Sequence, residues 1–374
     1  MNKSKGVVGI IILLTGVMLF GCGDKNNKSS EEAKSEIFST KEQGVAETKI
    51  TYPEEYMEEV DGTLSFQAKV VPPNNLHKKN AEMMVTYKTI DFEIALKELF
   101  SDVDEPKRKE EIIQPENSLF QSAYNEKDEW ISNRHGFLYM EKAHWKKIRN
   151  AVELSSKDLA YNAEKYQHPQ TFEFGTADEA WKNLQETVKK LGVEMELKPF
   201  IFYLDYETME KEAAKNPENV TDDWNDSDNG YYISAVQCYD ENTIFANSYY
   251  GKGIEGEADT ANILAYIDKN GIQKLELTRI VDQIKETGKY WELLPFENII
   301  EAVKQRFALT ITGDKVKIKE IRFSYMTEAI GDEKYRLIPV WFCNYEKTGK
   351  DGSATIQQFI INASTGEDVI YELY

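Results

Sequence analysis

One order of elements occurs twice in this chain: an amphipathic helical stripe, then short aromatic-rich segments cut by turn residues. The first instance opens on Thr176-Ala177-Asp178-Glu179, a capping box in which the Thr176 hydroxyl and the Glu179 carboxylate satisfy each other's orphan amides. Trp181, Leu184, Val188 and Leu191 follow as one apolar stripe. Lys189 and Lys190 favour the negative end of that helix, and Gly192 supplies a left-handed stop. After it, Val193–Tyr203 reads as extended and 206–215 as a short helix. Tyr231–Tyr239, Thr243–Tyr249, Ala261–Ile267 and Ile272–Val281 read as antiparallel strands, with turns at Asp240-Glu241-Asn242 and Asn270-Gly271. The second instance places Phe296, Ile299, Ile300, Val303 and Phe307 on one helical face, with Pro295 at its start. Strands Val316–Tyr325, Tyr335–Tyr345, Thr355–Ile361 and Val369–Leu373 follow. The repeated order predicts an α+β fold, with antiparallel sheets each packed by a helix on one face.

Ahead of these units lies a less regular region. Leu64, Phe66, Ala68 and Val70 alternate with polar residues, the mark of a half-buried strand. Pro72-Pro73-Asn74-Asn75 ends it. Met83–Tyr87 reads as a second strand, and Asp91 N-caps a short helix carrying Phe92, Ala95, Leu96 and Leu99. Residues 101–118 read as charged and irregular, Gly136–Met140 as a strand, and Ala151–Tyr166 as helical. The organisation expected is a segment 1–21, a tether 22–49, an α+β region 50–170, an α+β unit 171–290 and a last unit 291–374. The tether is too polar to bury a core. As a flexible coil it spans on the order of 30 Å.

The first residues address the chain to an envelope. Lys3 and Lys5 precede an apolar run from Gly6 to Phe20, which is short of the ~20 apolar residues that cross a bilayer. With a small residue before the cut, this is the pattern of a secretory signal. Leu19-Phe20-Gly21-Cys22 resembles the lipobox of bacterial lipoproteins. That resemblance implies that Cys22 becomes the first mature residue and carries a diacylglycerol thioether. Two acyl chains meet the condition for stable anchoring. Cleavage removes two lysines and no acid, so the mature chain is more negative than the −20 of the whole. That charge argues against phosphate-rich nucleic acid as a partner. An anionic lipid surface is no better matched, so the lipid, not the domain's charge, holds it at the membrane.

Besides Cys22 there are two cysteines, Cys238 and Cys343, both in strand-like aromatic runs. They read as buried thiols, with a single disulfide as the alternative. His77, His135, His144 and His168 form no His-Glu-x-x-His motif and read as ordinary surface or core histidines. There is no Gly-x-Ser-x-Gly elbow, and Gly251-Lys252-Gly253 with Gly256 lies among acids, wrong for phosphate. The acidic loop 218–230 invites a calcium test. An EF-hand with its glycine at Gly230 requires Glu at position 236, where Val236 stands. Trp181 and Trp341 read as core, whereas Trp130, Trp145, Trp224 and Trp291 are freer. No catalytic, metal or cofactor residue is expected from these motifs.

The C-terminal unit carries a recognisable pattern. Tyr335-Arg336-Leu337-Ile338-Pro339-Val340-Trp341, then Ile360-Ile361-Asn362-Ala363-Ser364-Thr365-Gly366-Glu367 and Val369-Ile370, resembles the close of PepSY-like and YycI-like domains. The helix starting Ala177-Asp178-Glu179-Ala180 is also similar to the PepSY helix. Taken whole, the chain resembles clostridial lipoproteins grouped as a domain-of-unknown-function family. These matching positions are turns and core, not catalytic groups. The resemblance implies a non-enzymatic, lipid-anchored protein on the extracytoplasmic face of the cell membrane that restrains or regulates a membrane or wall protein by contact. The runner-up is a ligand- or glycan-binding lipoprotein, its exposed aromatics stacking on sugar rings. A hydrolase with dispersed active-site residues is third.

Overall fold

Strand pairing, more than helix packing, organises this chain. The computed structural model describes residues 51–73, 79–103, 106–113, 118–151, 165–215, 223–245, 261–308, 313–331 and 334–369. The expected signal segment 1–21, Cys22, the expected tether, His77, Gly251–Gly256 and most of the helix expected over Ala151–Tyr166 lie outside the described residues. All that is described belongs to one compact unit, Glu47–Tyr374.

Among the described residues, sixteen strands form a single sheet. In chain order they are β1 (Glu55–Glu59), β2 (Leu64–Val71), β3 (Lys79–Tyr87), β4 (Lys107–Ile113), β5 (Ser118–Tyr124), β6 (Trp130–Arg134), β7 (Phe137–Glu141) and β8 (Glu196–Leu204). The rest are β9 (Gly230–Tyr239), β10 (Asn242–Phe245), β11 (Ile263–Asp268), β12 (Gly271–Thr278), β13 (Val281–Glu292), β14 (Lys315–Gly331), β15 (Lys334–Thr348) and β16 (Ala354–Asn362). One arm runs β4-β5-β6-β7-β12-β11-β9-β8, antiparallel throughout. A second runs β16-β15-β14-β2-β1 and is mixed, because β2 lies parallel to β14. The short β10 joins the arms, antiparallel to β9 and parallel to β14. From the far end of β15 the sheet continues into β3 and β13.

This overturns the expectation of α+β units, each with its own antiparallel sheet under one helix. The physical reason is that alternation marks a strand but not its partner. β2, read as part of an N-terminal region, inserts beside β14 some 250 residues away in sequence. Lys107–Ile113, read as irregular, is a strand because its backbone pairs in unbroken register with β5 despite its charged side chains.

Among the described residues there are five α-helices: α1 (Phe92–Leu99), α2 (Ala143–Ala151), α3 (Ala177–Lys190), α4 (Tyr206–Ala213) and α5 (Phe296–Ala308). Asp91 caps α1 by accepting from the amides of Glu93 and Ile94. Thr176 and Glu179 form the reciprocal capping box of α3, and Gly192 takes φ +82° just after it. Helices lie on both faces of the first arm. On one, Ala95, Leu96 and Leu99 of α1 and Leu184 and Val188 of α3 pack on Ile131, Met140, Ile233 and Leu275. On the other, Trp145 and Ile148 of α2 and Met209 of α4 pack on Phe202, Tyr232, Leu264 and Tyr266. Ile299, Ile300 and Val303 of α5 close the second arm's core against Phe66, Ile318, Ile321 and Trp341. Each buried Leu, Ile, Val, Met or Phe among these contributes about 1.5–3 kcal/mol of burial free energy.

Candidate functional site

A single cross-strand row runs the width of the first arm: Lys107, Tyr124, Trp130, Glu141, Lys274, Tyr266, Tyr232 and Phe202. Directly opposed residues of antiparallel strands point to the same face, so these eight side chains form one line. The line divides in two. From Glu141 to Phe202 it is buried beneath α2 and α4, whereas Trp130 and Tyr124 are 38% and 43% exposed.

Over the buried half, α2 acts as a basic strap. Trp145 stacks on Tyr232 at 5.7 Å and tilts against Tyr266 at 5.2 Å. Lys274 Nζ lies 5.4 Å from the Trp145 ring centroid and 3.5 Å from Glu276, a cation held between aromatic faces. Around that anchor, four cations of α2 each meet an acid. Lys146 pairs with Asp128 at 2.9 Å, and Arg149 with Glu141 at 2.7 Å. Lys147 pairs with Asp228 at 2.8 Å and lies 4.6 Å over the Trp224 ring. His144 donates from Nδ1 to Asp268 at 2.6 Å and from Nε2 to Asp228 at 2.9 Å.

The two aspartates stand on turns. Asp268 ends β11 and also accepts from the amide of Asn270, shaping the turn into β12. Asp228 closes a 3₁₀ turn (Asp226–Asp228) and accepts from the amide of Asn225 at 2.9 Å. The Tyr266 hydroxyl donates to the Asp228 carbonyl at 2.8 Å. Its ring lies so close to Gly230 that a Cβ there would meet ring carbons at 2.3 Å. Close ring approach thus explains why glycine ends the acidic loop, independently of any calcium geometry.

The electrostatics follow from this packing. The Asp268 hydrogen bond raises the His144 pKa above its ordinary value of 6.5; burial opposes this, and Asp228 reinforces it. For Asp228, burial pushes the pKa up, but His144, Lys147 and the Asn225 amide outweigh it and hold the carboxyl below its ordinary value. A carboxylate on each nitrogen favours the imidazolium form of His144, in which both N–H groups donate. That form offers no lone pair to a metal and no free nitrogen to a substrate. Among the described residues, no group of three or more His, Cys, Asp or Glu side chains is arranged to hold a metal ion.

The open half of the row differs in chemistry. Trp130 contacts Tyr139 at 5.6 Å, and Phe137 lies 8° from coplanar with Tyr139 on the same face of β7. The Arg134 guanidinium sits 5.2 Å from the Phe137 ring. These groups form an aromatic strip beside the end of α2, where Tyr139 donates to the same Glu141 that Arg149 holds.

The singled-out residues thus separate. His144, Trp145 and Trp224 converge on α2. His135 instead meets Thr89 at 3.4 Å, and His168 is exposed. Trp291 donates to the Leu337 carbonyl under Arg336, and Trp341 is fully buried. Cys238 and Cys343 are free and buried, and burial raises both thiol pKa values, that of Cys238 to about 11. Sequence reading missed the strap because Asp228 and Asp268 lie 84 and 124 residues from His144. No local spacing encodes such a contact.

No family model matches the chain, and no curated protein matches it. Among solved structures, it is similar to an uncharacterised protein from Eubacterium rectale, with a TM-score of 0.63 and 18% sequence identity. The match covers 86% of this chain and 94% of that one, and it shows a shared fold.

Proposed function

We propose that this chain is a lipid-anchored extracytoplasmic protein, held through Cys22, that acts without catalysis by binding another envelope protein. The observation that carries the reading is the divided row. Its buried half is closed by α2 with each cation of the strap paired to an acid. Its outer half leaves Trp130 and Tyr124 open beside Tyr139 and Phe137. Tryptophan and tyrosine in such a setting are what protein contact surfaces are built from. The net charge of −20 selects a partner whose facing surface carries Lys and Arg around an apolar centre. The lipobox and the resemblance to PepSY-like and YycI-like domains support the same placement and the same contact-based role.

A second reading draws on the same strip: near-coplanar rings are also what sugar rings stack on. One experiment separates the two. Wild-type chain and Trp130→Ser/Tyr124→Ser are recovered from solubilised envelopes and assayed separately on purified peptidoglycan. The contact reading expects a defined basic-surfaced protein to copurify with wild type and to be lost from the variant, with no retention on peptidoglycan. Retention on peptidoglycan that the variant loses, without a protein partner, selects the glycan reading. Identical behaviour of variant and wild type contradicts both.

A further inference from the structure

Five strands leave one edge of the sheet without a neighbour among the described residues: β1, β4, β8, β13 and β16. Free edges invite pairing, and folded proteins guard them with proline, bulges, short length, charged side chains or a covering segment. Three of the five carry a guard other than charge, and a fourth is covered at one end. β8 contains Pro199. The register of β13 with β3 is broken by two irregularities. β1 is short, with Glu55, Glu58 and Glu59 in five residues of an acidic chain. The end of β16 is covered by a return of chain, with an Ile361–Asp368 bridge and the Val369 amide donating to the Ile360 carbonyl.

β4 is different. Its seven residues keep unbroken register with β5 and contain no proline. Its charges come in blocks: Lys107-Arg108-Lys109, then Glu110-Glu111. An antiparallel copy of the same strand, related by a two-fold axis normal to the sheet, would meet it with residue n opposite residue n′ at a constant sum. Centred on Lys109, that pairing sets Arg108 against Glu110 and Lys107 against Glu111, each twice. A foreign strand of uniform charge is repelled by one half of β4, whereas a second copy is matched in both halves, with Lys109 opposite Lys109 on the axis as the one like-charge contact. The ion pairs β4 now makes, Arg108 with Glu93, Lys109 with Glu111 and Lys107 with Glu126, are all exposed. Exposed pairs hold their partners weakly.

We propose that β4 is a homotypic docking edge, through which two copies of this chain join their first arms into one continuous sheet. The open aromatic row crosses β5 and β6 next to this edge, so pairing brings two such rows onto one surface.

Position 109 lies on the two-fold axis, which provides the test. Lys109→Cys is introduced into the full chain in three backgrounds: otherwise wild type, Lys107→Glu/Arg108→Glu, and the swapped set Lys107→Glu/Arg108→Glu/Glu110→Arg/Glu111→Lys. Glu186→Cys, exposed on α3, serves as control. After mild oxidation, non-reducing electrophoresis is expected to show a disulfide-linked dimer in the first background. At least a tenfold loss is expected in the second, with recovery in the third and no dimer from position 186. The swapped background shows whether the second merely unfolds. Absence of dimer in the first background, equal dimer in the first two, or failure of the swap to restore it each overturns the proposal.

Discussion

His144 Nδ1 donates to Asp268 Oδ2 across 2.6 Å, joining α2 to the β11–β12 turn, while its other nitrogen reaches Asp228. Three segments far apart in sequence are fixed at one imidazole, and the helix so fixed seals the buried half of the aromatic row. Both nitrogens are held by carboxylates, so the charge of His144 and its position are linked.

That linkage has a sign. The native pKa of His144 is raised above about 6.5, so its contribution is complete below the unfolded value and is lost as pH rises through the native value. The native pKa of Asp228 is lowered below 3.8, so its contribution is present above that value and is lost as pH falls through the native one. Urea unfolding across pH is expected to show the stability gap between wild type and His144→Gln widest between about pH 4 and 6.5, narrowing as pH rises through the raised native value. A gap independent of pH would show that His144 is not held as an imidazolium.

Gly230→Ala puts a Cβ into the Tyr266 ring, and overpacking of this kind costs about 1–3 kcal/mol. Tyr266→Leu removes the ring and loses packing of its own. The double variant is expected to be less destabilised than the sum of the singles, because the clash exists only when both residues are present. Strict additivity in thermal unfolding would place the cost of Gly230→Ala elsewhere.

Thr176→Ala removes the acceptor for the Glu179 amide and half of the capping box. Loss of about 1 kcal/mol is expected, measured by chemical denaturation. Thr176→Asp, which keeps an acceptor, should recover most of it.

Replacement of Cys22 with Ser is expected to abolish palmitate labelling and leave an uncleaved or mislocalised precursor. Unchanged labelling would remove the lipid anchor from the account.

The secondary structure was legible wherever periodicity and caps act locally. Alternation at Leu64–Val70 appears as β2, the capping stretch from Thr176 as α3, and the turn at Gly366 as a positive φ of 75° with Asn362 accepting from the amides of Ser364 and Thr365. What was not legible is nonlocal. Nothing in Leu64–Val71 says that it lies parallel to β14, and that placement alone turns separate layers into one mixed sheet. Charged Lys107–Ile113 hides a strand because its apolar partners lie on β5 and beyond. The strap was hidden for the same reason: His144 looked like an isolated histidine until two distant turns closed on it.

The most direct test of contact through the open row is a photoreactive residue at position 124, read in intact envelopes. A discrete adduct with one envelope protein, absent from a probe at Glu186 and lost with Trp130→Ala, is the predicted result. No adduct from position 124, or the same adducts from both positions, would contradict the account.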